Sequence, residues 1–178
     1  MADELLQAFR FRVSLTLSAS TGPASHPSNP ERPSADKQRL GDGGFQECGG
    51  LDLETDVREY LEGGRNDGVI RRVGRVKLQP LVLKRGMLFA DPDGPVRPEL
   101  WAWIQDTVAG RLPIRRYDGI VEVTRAATDS ATMATWRFVR GLPLKVTGPS
   151  LNAKTGEIAI EELHIAHEGL QLVTGADR

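Results

Sequence analysis

The chain has 178 residues, one cysteine, and 23 basic against 24 acidic side chains, for a formal net charge of -1. That length suits one domain with its own hydrophobic core and leaves too little chain for a second full one, and a lone Cys48 excludes an internal disulfide and any multi-cysteine zinc site. The balanced charge implies no global attraction to nucleic acid or anionic lipid, and no segment approaches the roughly 18 uninterrupted apolar residues of a membrane span, so no membrane insertion by itself and no specific nucleic-acid binding are expected.

The chain opens MADELLQ, with acids where a secretory signal carries bases, which reads as a cytoplasmic product. Phe9, Phe11, Val13, Leu15 and Leu17 then alternate with Arg10, Arg12, Ser14, Thr16 and Ser18, which predicts a strand with one core face. From Ala19 to Gly44 the composition turns to Ser, Pro, Gly and charge. Pro23, Pro27, Pro30 and Pro33 are spaced too closely for helix or ladder, so 19–44 reads as a loop inserted within a single domain spanning 1–178. Its removal between residues 20 and 42 is expected to leave a folded protein.

The segment Phe45 to Gly64, FQECGGLDLETDVREYLEGG, predicts a half-buried strand with Leu51, Leu53 and Val57 on one face and Asp52, Glu54, Asp56 and Arg58 on the other. Gly63 to Gly68 form a turn-rich loop leading to Val69 and Ile70. Val76 and Leu78 hold one alternation phase and Leu81 and Leu83 the other, so a bulge or sheet edge is expected near Pro80. A short amphipathic helix is predicted from Pro98 to Gly110, with Leu100, Trp101, Ile104 and Val108 on its stripe. Val121 and Val123, Trp136 and Phe138, and Ile158 and Ile160 mark further strands. The fold class is therefore mainly β, a small barrel or sandwich flanked by one helix.

Chemistry finds little support. Glu161 and His164 have the spacing of two metal ligands on one helical face. Ile158, Ile160, Leu163 and Ile165 instead fit two strand phases with a slip, which sends His164 and His167 to opposite faces. Gly63 to Gly68 lack the Lys and Ser/Thr of a phosphate-binding loop, and Pro92 and Pro95 interrupt the calcium-ligand spacing around Asp91 and Asp93. Cys48 has no nearby cation to activate it. Trp101 and Trp103 read as helix packing plus one interface aromatic, since bases do not interleave with them. No catalytic, metal or cofactor-binding residue is assigned, no cofactor is expected, and the chain is read as a non-enzyme.

Several stretches together resemble the tail tube proteins of contractile phage tails and extracellular contractile injection systems. They are Phe9 to Leu17, Phe45 to Gly64, Leu81 to Gly86 (LVLKRG), Leu100 to Gly110, Trp136 to Leu151 (WRFVRGLPLKVTGPSL) and Ile158 to Leu170 (IAIEELHIAHEGL). The resemblance implies a fold like the haemolysin-coregulated protein, hexameric rings stacked into a hollow tube, a surrounding contractile sheath, baseplate or tube-initiator partners, and cargo in the lumen. It implies assembly in the cytoplasm and then a place in an injection particle. It also implies a ring-stacking role for Glu62, Gly63, Gly64, Arg65, Asn66, Asp67 and Gly68. Glu54, Asp56, Arg58, Tyr60, Glu161 and Glu162 are the strand residues expected at interfaces. Relatives join the first two strands by a much shorter connection than Ala19 to Gly44, so a specialised tube-initiating layer between baseplate and tube is one alternative. A monomeric β-barrel binding a small ligand, for which the strand pattern alone suffices, is another.

Overall fold

Alternation along the first strand is realised in the computed structural model, which describes residues 10–18, 40, 44–61, 63–64, 68–88, 94–124, 132–154 and 156–173. Strand β1 (Phe11–Leu17) buries Val13 and Leu15 and pairs antiparallel with β6 (Tyr117–Thr124), which turns Tyr117, Val121 and Val123 to the same side. β6 pairs with β7 (Thr132–Thr147), a strand of 16 residues. The first part of β7 also takes β9 (Gly169–Val173), and its second part takes β8 (Ile160–Ala166). β8 continues to β5 (Leu81–Gly86), and β5 to β2 (Glu47–Gly49). Phe9, which the sequence reading placed in β1, lies outside the described residues.

The long sheet bends at β7 into two leaves. Arg140 stands at the bend with a φ of 55°, a left-handed conformation that costs a non-glycine residue about 1–2 kcal/mol. Side chains from three other segments hold it there. Asp118 Oδ1 accepts the Arg140 N–H at 2.8 Å and the Ser18 hydroxyl at 2.6 Å. Glu168 accepts Arg140 Nε at 2.7 Å and Arg116 Nη1 at 2.6 Å. Gly119 leaves the space that the Phe138 ring fills, because a Cβ there would lie 2.0 Å from the ring.

The inner faces of the two leaves meet in one core. Leaf one supplies Val13, Leu15, Tyr117, Val121, Phe138 and Leu170, and leaf two supplies Leu81, Leu83, Leu163 and Ile165. The helix α1 (Glu99–Val108) closes one side with Leu100 and Trp103. Trp103 packs edge-on against Tyr117, with ring centroids 4.8 Å apart, and donates its indole N–H to the Arg115 carbonyl. The helical stripe thus differs from the expected one: Trp103 enters the core and Val108 is exposed, because the docked face follows the i, i+3 row that starts at Leu100.

The mainly β class with one flanking helix is the observed one, but the sheet is not closed into a barrel. β1 and β2 end the strand path and do not pair with each other. The 19–44 insertion lies outside the described residues except for Leu40 and Gly44. Leu40 is buried, and its N–H is bonded to the Leu15 carbonyl at 3.0 Å. The deletable span is therefore shorter than 20–42, since Leu40 belongs to the core.

Candidate assembly interface

Strands β3 (Leu53–Tyr60) and β4 (Ile70–Leu78) pair only with each other, as a separate two-stranded sheet. This ribbon prolongs the β2–β5 pair: Gly49 faces Val82 in the body, and Leu53 faces Leu78 where the ribbon begins, in unchanged register. The two parts are separated at a built joint. Gly50 takes a φ of 77°, and a Cβ on it would lie 2.1 Å from the Pro80 carbonyl oxygen, so only glycine fits. On the other side of the joint, His167 Nε2 donates to the Gln79 carbonyl at 3.1 Å. The expected phase change at Pro80 is this joint; the bulge itself lies further out, where the register shifts between Thr55 and Val57.

The bulge sorts the ribbon into two unlike faces. Leu53 opposes Leu78, Thr55 opposes Val76, and Val57 opposes Val73, which gathers the aliphatic side chains on one side. Leu53, Val57, Val73 and Val76 are 62, 55, 77 and 61% exposed, so nothing within the described chain covers this face. The sequence reading of a strand half-buried in its own subunit is thereby corrected. A two-stranded ribbon has no second layer of its own to bury an apolar face against.

The opposite face is polar. Glu54 pairs with Lys77 at 3.5 Å. Arg58 stands directly across from Arg72, and the Arg72 guanidinium lies 4.8 Å from the centroid of the Tyr60 ring. On the apolar side near the tip, Arg71 is bonded to Glu59 at 3.2 Å. Of the expected interface residues, Glu54, Asp56, Arg58 and Tyr60 are all exposed on the ribbon. Gly63, Gly64 and Gly68 lie at its tip, whereas Glu62, Arg65, Asn66 and Asp67 lie outside the described residues.

Glu161 and Glu162 separate sharply. Glu161 is 1% exposed and accepts Arg85 Nε at 2.7 Å and the Trp101 indole N–H at 3.0 Å. Its position in the core row of β8, with Leu163 and Ile165, removes it from any intersubunit surface and corrects both the expected interface role and the expected phase slip. An isolated buried carboxylate would be prohibitive, and the buried Arg85 makes this one tenable. Glu162 lies on the outer face with His164, whose ring is bonded to it, so Glu161 and His164 diverge and do not converge on a metal. That bond holds the Glu162 carboxyl below its usual range. In the same row Lys84 bonds Glu47 at 2.9 Å, which raises the Lys84 pKa. Burial pushes the Cys48 thiol up to about 11, which leaves it protonated and unreactive at neutral pH. Sequence reasoning missed Arg85 as the partner of Glu161, and it missed Val73 and Val76 as surface residues; the absence of an apolar layer opposite β4 is visible only in three dimensions.

The family model of the T4-like virus tail tube protein gp19 matches residues 7–171. The chain belongs to this tail tube protein family. It is a structural tube subunit. Solved structures carry the same fold. A chain of the extracellular contractile injection system PVC sheath–tube complex in the extended state aligns with a TM-score of 0.68 and 18% identity, covering 96% of this chain and 93% of that one. A chain in the structure of the anti-feeding prophage cap aligns with a TM-score of 0.71 and 20% identity, covering 98% and 95%. One in the PVC sheath/tube terminator structure aligns with a TM-score of 0.71 and 20% identity, covering 98% and 100%. No curated protein matches the sequence. Among the described residues no helix is long and apolar enough to cross a membrane, and no group of three or more His, Cys, Asp or Glu side chains is arranged to hold a metal ion.

Proposed function

We infer that this tail tube protein acts as a single tube domain over 1–178, closes into hexameric rings, and stacks those rings into a hollow tube inside a contractile sheath. The ribbon is the stacking element, and the role extends to Glu62 to Gly68, the segment that joins its two strands in the chain. Residues 19–44 form an insertion within that domain. The rings assemble in the cytoplasm, engage baseplate or initiator proteins, and become part of an extracellular injection particle whose tube is driven through an envelope and conducts cargo. The role is mechanical and non-enzymatic. What carries this reading is the ribbon's aliphatic face, exposed in the subunit and continuous in register with a body whose strand path ends, among the described residues, at β1 and β2. Unpaired sheet edges and apolar faces are liabilities in a monomer, and repeated heterologous contacts turn both into an assembly. The open sheet argues against the alternative of a monomeric ligand-holding barrel.

Negative-stain electron microscopy of the purified protein, with mass measurement on the same sample, tests this. Six-fold rings or hollow filaments are expected. Long filaments mark a bulk tube subunit, single rings that stop growing mark a layer joining tube to baseplate, and a strict monomer at high concentration overturns the assembly reading.

A further inference from the structure

The ribbon meets the body across a gap in the ladder. Gly49 facing Val82 is the last pair of the body on that side, and Leu53 facing Leu78 is the first pair of the ribbon. Gly50, Leu51 and Asp52 on one side of the gap and Gln79 and Pro80 on the other belong to no strand. Pro80 has no N–H to offer a ladder. A few residues at the ends of elements, free of ladder pairing, are what a hinge is made of. The arm beyond this one is long: a rotation of about 10° at the joint carries the far end of β3, about 25 Å out, sideways by about 4 Å, close to the spacing of neighbouring strands.

Leu51 steadies one side of the joint by packing on the core, and His167 holds the other. Its Nε2 lies 3.1 Å from the Gln79 carbonyl oxygen; a carbonyl only accepts, so Nε2 carries the proton and Nδ1 the lone pair. That Nδ1 is buried without a hydrogen-bond partner. The ring lies tilted on Phe138, with centroids 5.9 Å apart. A phenyl ring would fill the same place beside Phe138 with no orphaned nitrogen, so what the imidazole adds here is its bond to the joint. The support behind it is firm. Glu168, the next residue, donates its N–H to the Val139 carbonyl at 3.0 Å, and its carboxylate holds Arg116 and Arg140. The ribbon prolongs β2 and β5 of leaf two, but its latch is fastened at the bend between the leaves.

We propose that the ribbon is a hinged arm and that His167 is the positioning residue that latches it: the bond to the Gln79 carbonyl sets the arm's direction in the free subunit, before any other copy touches it. An arm whose direction is set beforehand meets a partner without the ordering cost of a swinging one. The latch goes beyond the tube reading, since it is a property of one subunit.

Nitroxide labels on Arg75→Cys in the ribbon and Gln105→Cys on α1, in a Cys48→Ala background, report the arm's direction as a distance distribution, read by pulsed electron resonance on the monomer fraction. Both labelled positions are exposed. One narrow distribution is expected with His167 in place. His167→Phe keeps the packing on Phe138 and removes the donor, and is expected to broaden the distribution about twofold or more as the hinge is freed. His167→Gln keeps an N–H donor at similar reach and is expected to restore the narrow distribution. A distribution as narrow in His167→Phe as in the parent overturns the latch, and so does a broad one in the parent or in His167→Gln. A second readout needs no substitution: in heteronuclear NMR of the unsubstituted protein the His167 Nε2–H is expected to be visible and protected from exchange with water. A proton on Nδ1 instead, or exchange as fast as that of an exposed histidine, overturns the proposal even if a variant does not fold.

Discussion

Glu161 is the residue whose surroundings most change its meaning. In the sequence it is one of two adjacent acids in a strand; in the fold it is sealed against Arg85 and Trp101, while its neighbour Glu162 faces outward with His164. Glu99 adds a second carboxylate to the cluster, with Oε2 3.8 Å from Arg85 Nη2, and among the described residues neither Nη nitrogen of Arg85 has a hydrogen-bond partner. Buried ion pairs of this kind add little net stability but are costly to break from one side. Glu161→Ala leaves the guanidinium uncompensated and Trp101 without its acceptor, and is expected to destabilise the subunit by about 3–5 kcal/mol in denaturant titration. Replacing both partners, Arg85→Met with Glu161→Leu, is expected to recover most of that loss, because no buried charge remains. A double variant as unstable as the single one would show that the pair itself, not the orphaned charge, sets the energy.

The ribbon is an element whose stability and purpose lie in different places. Within the subunit its strands gain only cross-strand pairs, each contributing about 0.2–1 kcal/mol, such as Glu59 with Arg71 and Glu54 with Lys77. The opposed Arg58 and Arg72 work against it, relieved by the stacking of Arg72 on Tyr60. Its apolar face contributes to stability only where something covers it, at about 1.5–3 kcal/mol for each Val or Leu fully buried. Val57→Lys combined with Val73→Glu keeps a favourable pair across the ribbon and removes the aliphatic surface. The subunit's unfolding free energy is expected to change by less than about 0.5 kcal/mol, as for other surface substitutions, while tubes are lost in sedimentation and microscopy. Retention of tubes would show that the aliphatic face is not the stacking contact.

At the scale of the whole molecule, the chain is a bent sheet around one core with an arm leaving one end, and Leu40 is bonded back to β1. Ser18 and Leu40 are both fixed beside β1, and the entropy of joining two fixed points varies slowly with the length of the connection, by about 0.6 kcal/mol for each doubling. Deleting residues 22–36 spares Leu40 and is expected to leave the thermal midpoint unchanged or slightly raised, with rings still formed. A drop in midpoint of more than about 8 °C would mean that the deleted span contributes over 1 kcal/mol of packing. Intact folding combined with failed particle assembly would instead place the insertion at a partner surface.

The sequence by itself determined the mainly β class, the helix and the tail tube family, because alternation with a period of two, the proline and glycine breaks, and the matched stretches are local properties of the chain; it did not show that Phe45 to Gly64, read as one strand, divides at Gly50 into β2 and β3 of different sheets, nor that β9 is a strand of its own. The alternation of β1 and β6 fixed which side chains face inward, and the structure keeps Val13, Leu15, Val121 and Val123 there. Only the tertiary structure decided what each apolar face meets. The alternation of Leu53 and Val57 is the same whether a core or a second subunit lies opposite, and among the described residues no apolar layer covers β3. Likewise, the pairing of Glu161 with Arg85 joins residues 76 apart. No local pattern encodes such a partner, since a buried charge is permitted by the group placed against it and not by its neighbours in sequence.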